Sequence, residues 1–125
     1  TDELTEKIML IHFRPEEFNC THTNANKMDE AFLLRLDALR TKCGFPFKIT
    51  SGYRDSSHPN EIVKAAPGTG THCQGIAADI AVSNGVERMN IVHEALKMGF
   101  SIGIAKSFVH VDARTTTPVL WTYSS

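Results

Sequence analysis

Apolar positions along the chain fall into two helical stretches and several short extended ones. "MDEAFLLRLDALRTKC" (28–43) places Phe32, Leu36, Leu39 and Cys43 on one stripe, the spacing of a helix with one buried face. Asn26 is positioned to cap this helix with Asp29 three residues on, Gly44 to end it, and Pro46 to prevent its resumption. "NGVERMNIVHEALKMGF" (84–100) predicts a second helix, with Asn84 and Glu87 spaced as a capping box. "FKITSGY" (47–53) reads as a strand, and "IAADIAV" (76–82) as another whose small residues permit close packing on both faces. "SIGIA" (101–105) and "SFVHVDA" (107–113) read as two short strands joined tightly, and "PVLWTY" (118–123) as an extended tail. "RPEEF" (14–18) predicts a short helical turn with Pro15 at an early position. Residues 54–71 form a long polar loop, a feature that in a small domain often carries function. The order of elements predicts an α+β domain: a small, mainly antiparallel sheet with two principal helices.

Composition narrows what such a domain could do. The 125 residues fit a single domain spanning 1–125, and 42% apolar residues suffice for a core. A net charge of −1 argues against a general nucleic-acid binder, and no apolar run approaches the roughly 18 residues of a membrane span. Neither nucleic acid nor membrane is therefore an expected partner, and a monomer is expected. Cys20, Cys43 and Cys73 are odd in number and widely spaced, which fits neither a disulfide framework nor a CxxC zinc knuckle. Thiols kept reduced point to synthesis in a cytosol, and no signal-peptide pattern is visible from Thr1 onward.

Three clusters could carry chemistry. In "GTGTHCQGIAADI" (68–80), His72 precedes Asp79 by seven residues. Both could reach one ion at about 2.0–2.2 Å only if the chain bends between them, and Gly75 suits that bend. Otherwise they are a loop histidine and a strand-edge aspartate. In "SFVHVDAR" (107–114), alternation puts Phe108, His110 and Asp112 on one face and Val109, Val111 and Ala113 on the other. This is either a solvated edge face or a polar pair with a partner, since burying either group alone is costly. Together the two clusters supply His, Asp and His, a nitrogen and oxygen set suited to catalytic zinc with one position left for water. In "ITSGYRD" (49–55), a strand ends at Gly52 and presents Tyr53 and Arg54. Arg54 is either an ordinary surface arginine or a group that holds a substrate carboxylate or stabilises developing charge.

Taken in this order, the three pieces resemble the M15 peptidases, which include zinc D-Ala-D-Ala carboxypeptidases and phage peptidoglycan endopeptidases and share a fold with the hedgehog signalling domain. The family's SGYR element resembles Ser51–Arg54, its S-x-H-x-x-G-x-A-x-D element resembles Gly70–Asp79, and its closing (F/I)-(V/I)-H-(V/I)-D element resembles Phe108–Asp112. "GFSIGIA" and the terminal W-x-Y are similar to compact phage-type members, so the resemblance runs from about Phe13 to Tyr123. It implies a single Zn²⁺ on His72, Asp79 and His110, with Arg54 anchoring substrate and stabilising the transition state. Ser51, Tyr53 and Thr71 would line the substrate. The substrate would be the stem peptide of bacterial peptidoglycan, cut at D-Ala-D-Ala or at a bond such as L-Ala-D-Glu. A phage lysis enzyme, made in the cytoplasm and acting on the cell wall, is the setting the resemblance implies.

The chain departs from the pattern twice. Gly70 stands where many members have serine, so a serine contact would be missing or taken by Thr69 or Thr71. Ser107 stands where many have the acidic general base. Asp112 is then the nearest alternative base, or else a partner that orients a histidine; Glu61 is a remote third candidate. A zinc-containing binding module of the same fold that has lost catalysis is the competing reading. The zincin motif HExxH and the deaminase PCxxC are both absent. Cys73 is expected to point away from the neighbouring ligand, Cys20 and His22 lack further ligands, and His93 is expected to be a satisfied structural histidine. His12 and His58 are expected at the surface or in loops. Trp121 and Tyr123 are expected to share one face as core or cleft wall.

Overall fold

A computed structural model of the chain describes residues 10, 13, 15–20, 26, 28–53 and 71–123. Helix α1 (Glu30–Cys43) starts at Asp29, whose side chain accepts from the Phe32 amide at 2.9 Å, and ends at Gly44. The cap is thus Asp29 and not Asn26. The reason is the Asp29 amide, held at 2.8 Å by the Gly75 carbonyl, which keeps residue 29 extended so that the helix begins after it. Asn26 instead accepts from the Met28 amide and donates to Asn19, ordering the approach to the helix. Helix α2 (Gly85–Met98) is capped by Asn84, which accepts from the Glu87 amide; Glu87 accepts in return from the Ser83 amide, one residue before the cap.

Among the described residues, five strands form one sheet: β1 (Ile49–Ser51), β2 (Ala77–Ala81), β3 (Ser101–Ile104), β4 (Phe108–Asp112) and β5 (Leu120–Thr122), in the order β1-β2-β4-β3-β5. All pairs are antiparallel except β3 with β5, which is parallel. The fold is α+β, as the sequence predicts. Strand β1 is shorter than expected because Gly52 and Tyr53 leave the sheet to pack on the 3₁₀ turn Pro15–Phe18, where the Tyr53 amide donates to the Phe18 carbonyl at 2.7 Å. A Cβ on Gly52 would lie 2.6 Å from the Phe18 Cα, so this close approach demands glycine.

Alternation along the strands gives the sheet two different faces. Ala78, Ile80, Ile102, Val109 and Val111 point into the core, where they join Phe18, Leu36, Leu39, Ile91 and Phe100. Phe32 meets Phe100 edge-on, and Arg35 lies over the same ring while donating to the Met98 carbonyl at the end of α2. The opposite face carries the polar residues of β2 and β4. Ala77 and Ala78, both fully buried, keep β2 narrow between these two layers.

The core predicts a large cost for its central leucine. Leu36→Ala should lower the unfolding free energy by about 2–5 kcal/mol in chemical denaturation, because Leu36 is fully buried and the helix cannot collapse onto the void. A loss below about 1 kcal/mol would mean that the two helices do not share this core.

Candidate metal centre

Sheet register, more than local sequence, assembles the site. Ser51 of β1 pairs with Asp79 of β2, Asp79 with His110 of β4, His110 with Gly103 of β3, and Gly103 with Trp121 of β5. These five residues therefore form one row across the sheet on its polar face. His72 joins from outside the sheet through the turn 71–75, which is closed by the Gly75 amide on the His72 carbonyl and the Ile76 amide on the Thr71 carbonyl. Gly75 has φ +74°, the left-handed conformation that the bend between His72 and Asp79 requires.

Three donor atoms converge. His110 Nδ1 lies 2.9 Å from Asp79 Oδ1, and His72 Nε2 lies 3.2 Å from both. The outer nitrogens are each committed elsewhere: His72 Nδ1 is 2.8 Å from the Gly52 carbonyl, and His110 Nε2 is 2.7 Å from Asp112 Oδ2. The Gly52 carbonyl and the Asp112 carboxylate only accept, so once a cation replaces the inward proton each ring carries its own proton on the outer nitrogen. Both inward nitrogens then present lone pairs, and they face a carboxylate. Three buried acceptors in mutual contact repel one another unless a cation lies among them.

That donor set fits a metal ion. Tetrahedral coordination at about 2.0–2.1 Å separates donors by about 3.3 Å, within a few tenths of an ångström of the observed contacts. His72, Asp79 and His110 are all buried, and among the described residues they form the group able to hold an ion. Burial alone would raise the Asp79 pKa, but hydrogen bonds from His110 and His72, and their charge, outweigh it and hold the carboxyl well below the usual range. The carboxylate is therefore ionised and ready to coordinate.

Asp112 is fully buried on the far side of His110 from the donor cluster. Arg114 grips it with two prongs, Nε to Oδ1 at 2.9 Å and Nη2 to Oδ2 at 2.7 Å. Burial favours the protonated acid, but Arg114 and then His110 outweigh it and keep Asp112 ionised well below its ordinary pKa. Of the two roles the sequence leaves open for Asp112, base or orienting partner, this geometry favours the second.

The match with a known family lies in the same residues. The family model described as Peptidase M15 matches residues 11–112, more than half of the chain. The protein belongs to the M15 peptidase family. No curated protein matches it. In this member of the M15 family the matched span holds the whole donor cluster and ends at Asp112, leaving Arg114 and Trp121 beyond it.

The remaining candidates are placed variously. Ser51 sits beside Asp79 in the row, Thr71 is half-buried in the turn, and Tyr53 is buried. Arg54, Glu61, Thr69, Gly70, His12, His22 and His58 lie outside the described residues. Cys73 is not part of the donor group, and Cys20, Cys43 and Cys73 form no disulfide. Burial first, then Glu94, pushes the Cys43 thiol up to about 11, which keeps it protonated near neutral pH. His93 corrects its expectation. It is exposed on α2 and lies 3.8 Å from Glu94, because the helix turns that position to solvent. Sequence reasoning missed the Gly52 carbonyl and Arg114 as outer partners. The first leaves no side-chain signal, whereas the D-x-R spacing on β4 could have revealed the second.

In the absence of metal, a proton is the cation at hand. Burial lowers the His110 pKa, but Asp112 and then Asp79 outweigh it and raise it above the ordinary value. A raised folded pKa stabilises fully below the unfolded value of about 6.5 and ceases to do so as pH rises through the folded value. The chelator-treated protein should therefore lose stability as pH climbs above about 6.5 in urea unfolding. With zinc present the trend should reverse, because metal competes best with protons at higher pH. Parallel pH profiles with and without metal would contradict a shared site for proton and ion.

Proposed function

We propose that the protein is a zinc-dependent peptidase that cleaves the stem peptide of bacterial peptidoglycan. The observation that carries this reading is the convergence of three lone-pair donors whose outer nitrogens are already tied, in a chain of the M15 peptidase family. His72, Asp79 and His110 would hold the ion, leaving a position for water or substrate. Bound there, zinc supplies Lewis acidity, polarising the scissile carbonyl and making water nucleophilic near neutral pH. Gly52 and Asp112 keep the two imidazoles in the tautomers that coordinate.

The substrate assignment rests on the likeness of Ser51–Arg54, Gly70–Asp79 and Phe108–Asp112 to wall peptidases. Arg54, which follows Tyr53, is assigned the anchoring of a substrate carboxylate and the stabilisation of the oxyanion. Ser51 and Thr71 flank Asp79 and His72 and are assigned substrate contacts. Two bonds suit this chemistry, the terminal D-Ala-D-Ala and L-Ala-D-Glu. The terminal W-x-Y and its likeness to compact phage-type members support a phage lysis enzyme acting on the wall.

A second reading has one observation in its favour. Ser107 is exposed just before β4, at the position where many members of the family are expected to carry an acid, and Asp112 lies on the far side of His110 from the donor cluster. A zinc-holding binding module would need no base. Mass spectrometry of purified peptidoglycan after digestion with the zinc-loaded protein separates the two. The peptidase reading expects one new pair of stem-peptide termini, absent with Asp79→Ala. Intact stem peptides with a fully zinc-loaded wild type would establish the binding module instead. Asp112→Asn should weaken zinc about 10–100-fold and regain turnover when zinc is saturating. Lost turnover at full occupancy would make Asp112 the base.

A further inference from the structure

The last segment of the chain, beyond the span matched by the family, closes a ring of side chains around one ligand. His110 donates to Asp112, Asp112 is gripped by Arg114, the Arg114 guanidinium lies 5.0 Å from the centre of the Trp121 ring, and that ring returns to His110 at 5.1 Å. Each contact is of a kind that orients: a charge-assisted hydrogen bond, a two-pronged ion pair, a cation on an aromatic face, and an aromatic pair.

The backbone makes room for this ring at one position. Gly103 pairs with His110 on one side and with Trp121 on the other. A Cβ there would lie 2.6 Å from the indole Cε2 and 2.7 Å from Nε1. The missing side chain lets the indole lie across β3 and reach the imidazole. Strand β5 pairs with the sheet through only three residues, Leu120–Thr122, and delivers Trp121 to this spot. Tyr123 continues the same face, 6.3 Å from Trp121, and meets Phe108 in a tilted contact at 5.1 Å.

We propose that Arg114 and Trp121 are positioning residues for the metal ligand His110: together with Asp112 they fix the orientation of its imidazole, with Gly103 as the seat of the indole. This rests on the reading of His72, Asp79 and His110 as a metal centre. Arg114 acts through Asp112, and Trp121 acts on both ends of the ring at once. Strand β5 is then a working part of the site, and not only an edge added to the sheet.

The test measures metal binding and coordination geometry in the full chain. Zinc affinity is measured by competition with a chromophoric chelator, and the visible spectrum of the cobalt(II)-substituted protein reports the ligand geometry. Trp121→Ala and Arg114→Ala should each weaken zinc about 10-fold or more and alter the cobalt spectrum, while the metal-free proteins keep the wild-type circular dichroism. Trp121→Phe should restore most of the affinity. Arg114→Lys keeps a charge for Asp112 but cannot form the two-pronged bond, so it should fold and still bind zinc about 10-fold more weakly. Zinc affinities within about twofold of wild type and an unchanged cobalt spectrum in Arg114→Lys and Trp121→Ala would overturn the proposal. So would a loss of affinity in Trp121→Ala that Trp121→Phe shares in full. A wild type that binds no zinc would instead remove the metal reading itself.

Discussion

Everything at this site depends on one electrostatic constraint. Three donor atoms from three different segments are held about 3 Å apart, and the hydrogen bonds behind them seat each histidine's proton on its outer nitrogen once a cation lies among the inward atoms. Such an arrangement is unfavourable by itself and becomes favourable once a cation joins it. The outer partners, the Gly52 carbonyl and the Asp112 carboxylate, thus matter as much as the donors. They decide which nitrogen of each ring is available.

The scaffold meets that constraint through a division of the sheet. One face is apolar and packs on the two helices, which makes the strand register rigid; the other face inherits that rigidity. Slipping β4 by one residue would turn His110 and Asp112 into the core and Val109 and Val111 out of it, so the core enforces the register that aligns Asp79 with His110. The turn before β2 then has only one task, to bring His72 over the row, and the left-handed Gly75 accomplishes it.

The elements were largely legible in the sequence because their signals are local. Helical stripes, the Asn84 cap and the alternation of Phe108, His110 and Asp112 each depend on neighbours a few residues away. The His72, Asp79, His110 set was legible for a different reason: the spacing left a loop histidine and a strand-edge aspartate equally open, and only the likeness of three motifs in order to the M15 peptidases joined them into one ligand set. What could not be read depends on contacts distant in sequence. The cap at Asp29 follows from a bond to Gly75, the early end of β1 from the approach of Gly52 to Phe18, and the pairing of β5 with β3 from an indole that needs Gly103. Choosing between the two roles of Asp112 required knowing which nitrogen of His110 it touches, and sequence carries no direct sign of that.

X-ray absorption at the zinc edge of the purified, zinc-loaded protein tests the central claim most directly. The account predicts one ion per chain with a nitrogen and oxygen shell at about 2.0–2.1 Å, the outer-ring scattering of two imidazoles, and no sulfur. A sulfur scatterer at about 2.3 Å would place the ion on a cysteine, and a single imidazole would remove either His72 or His110 from the shell; either result would contradict it.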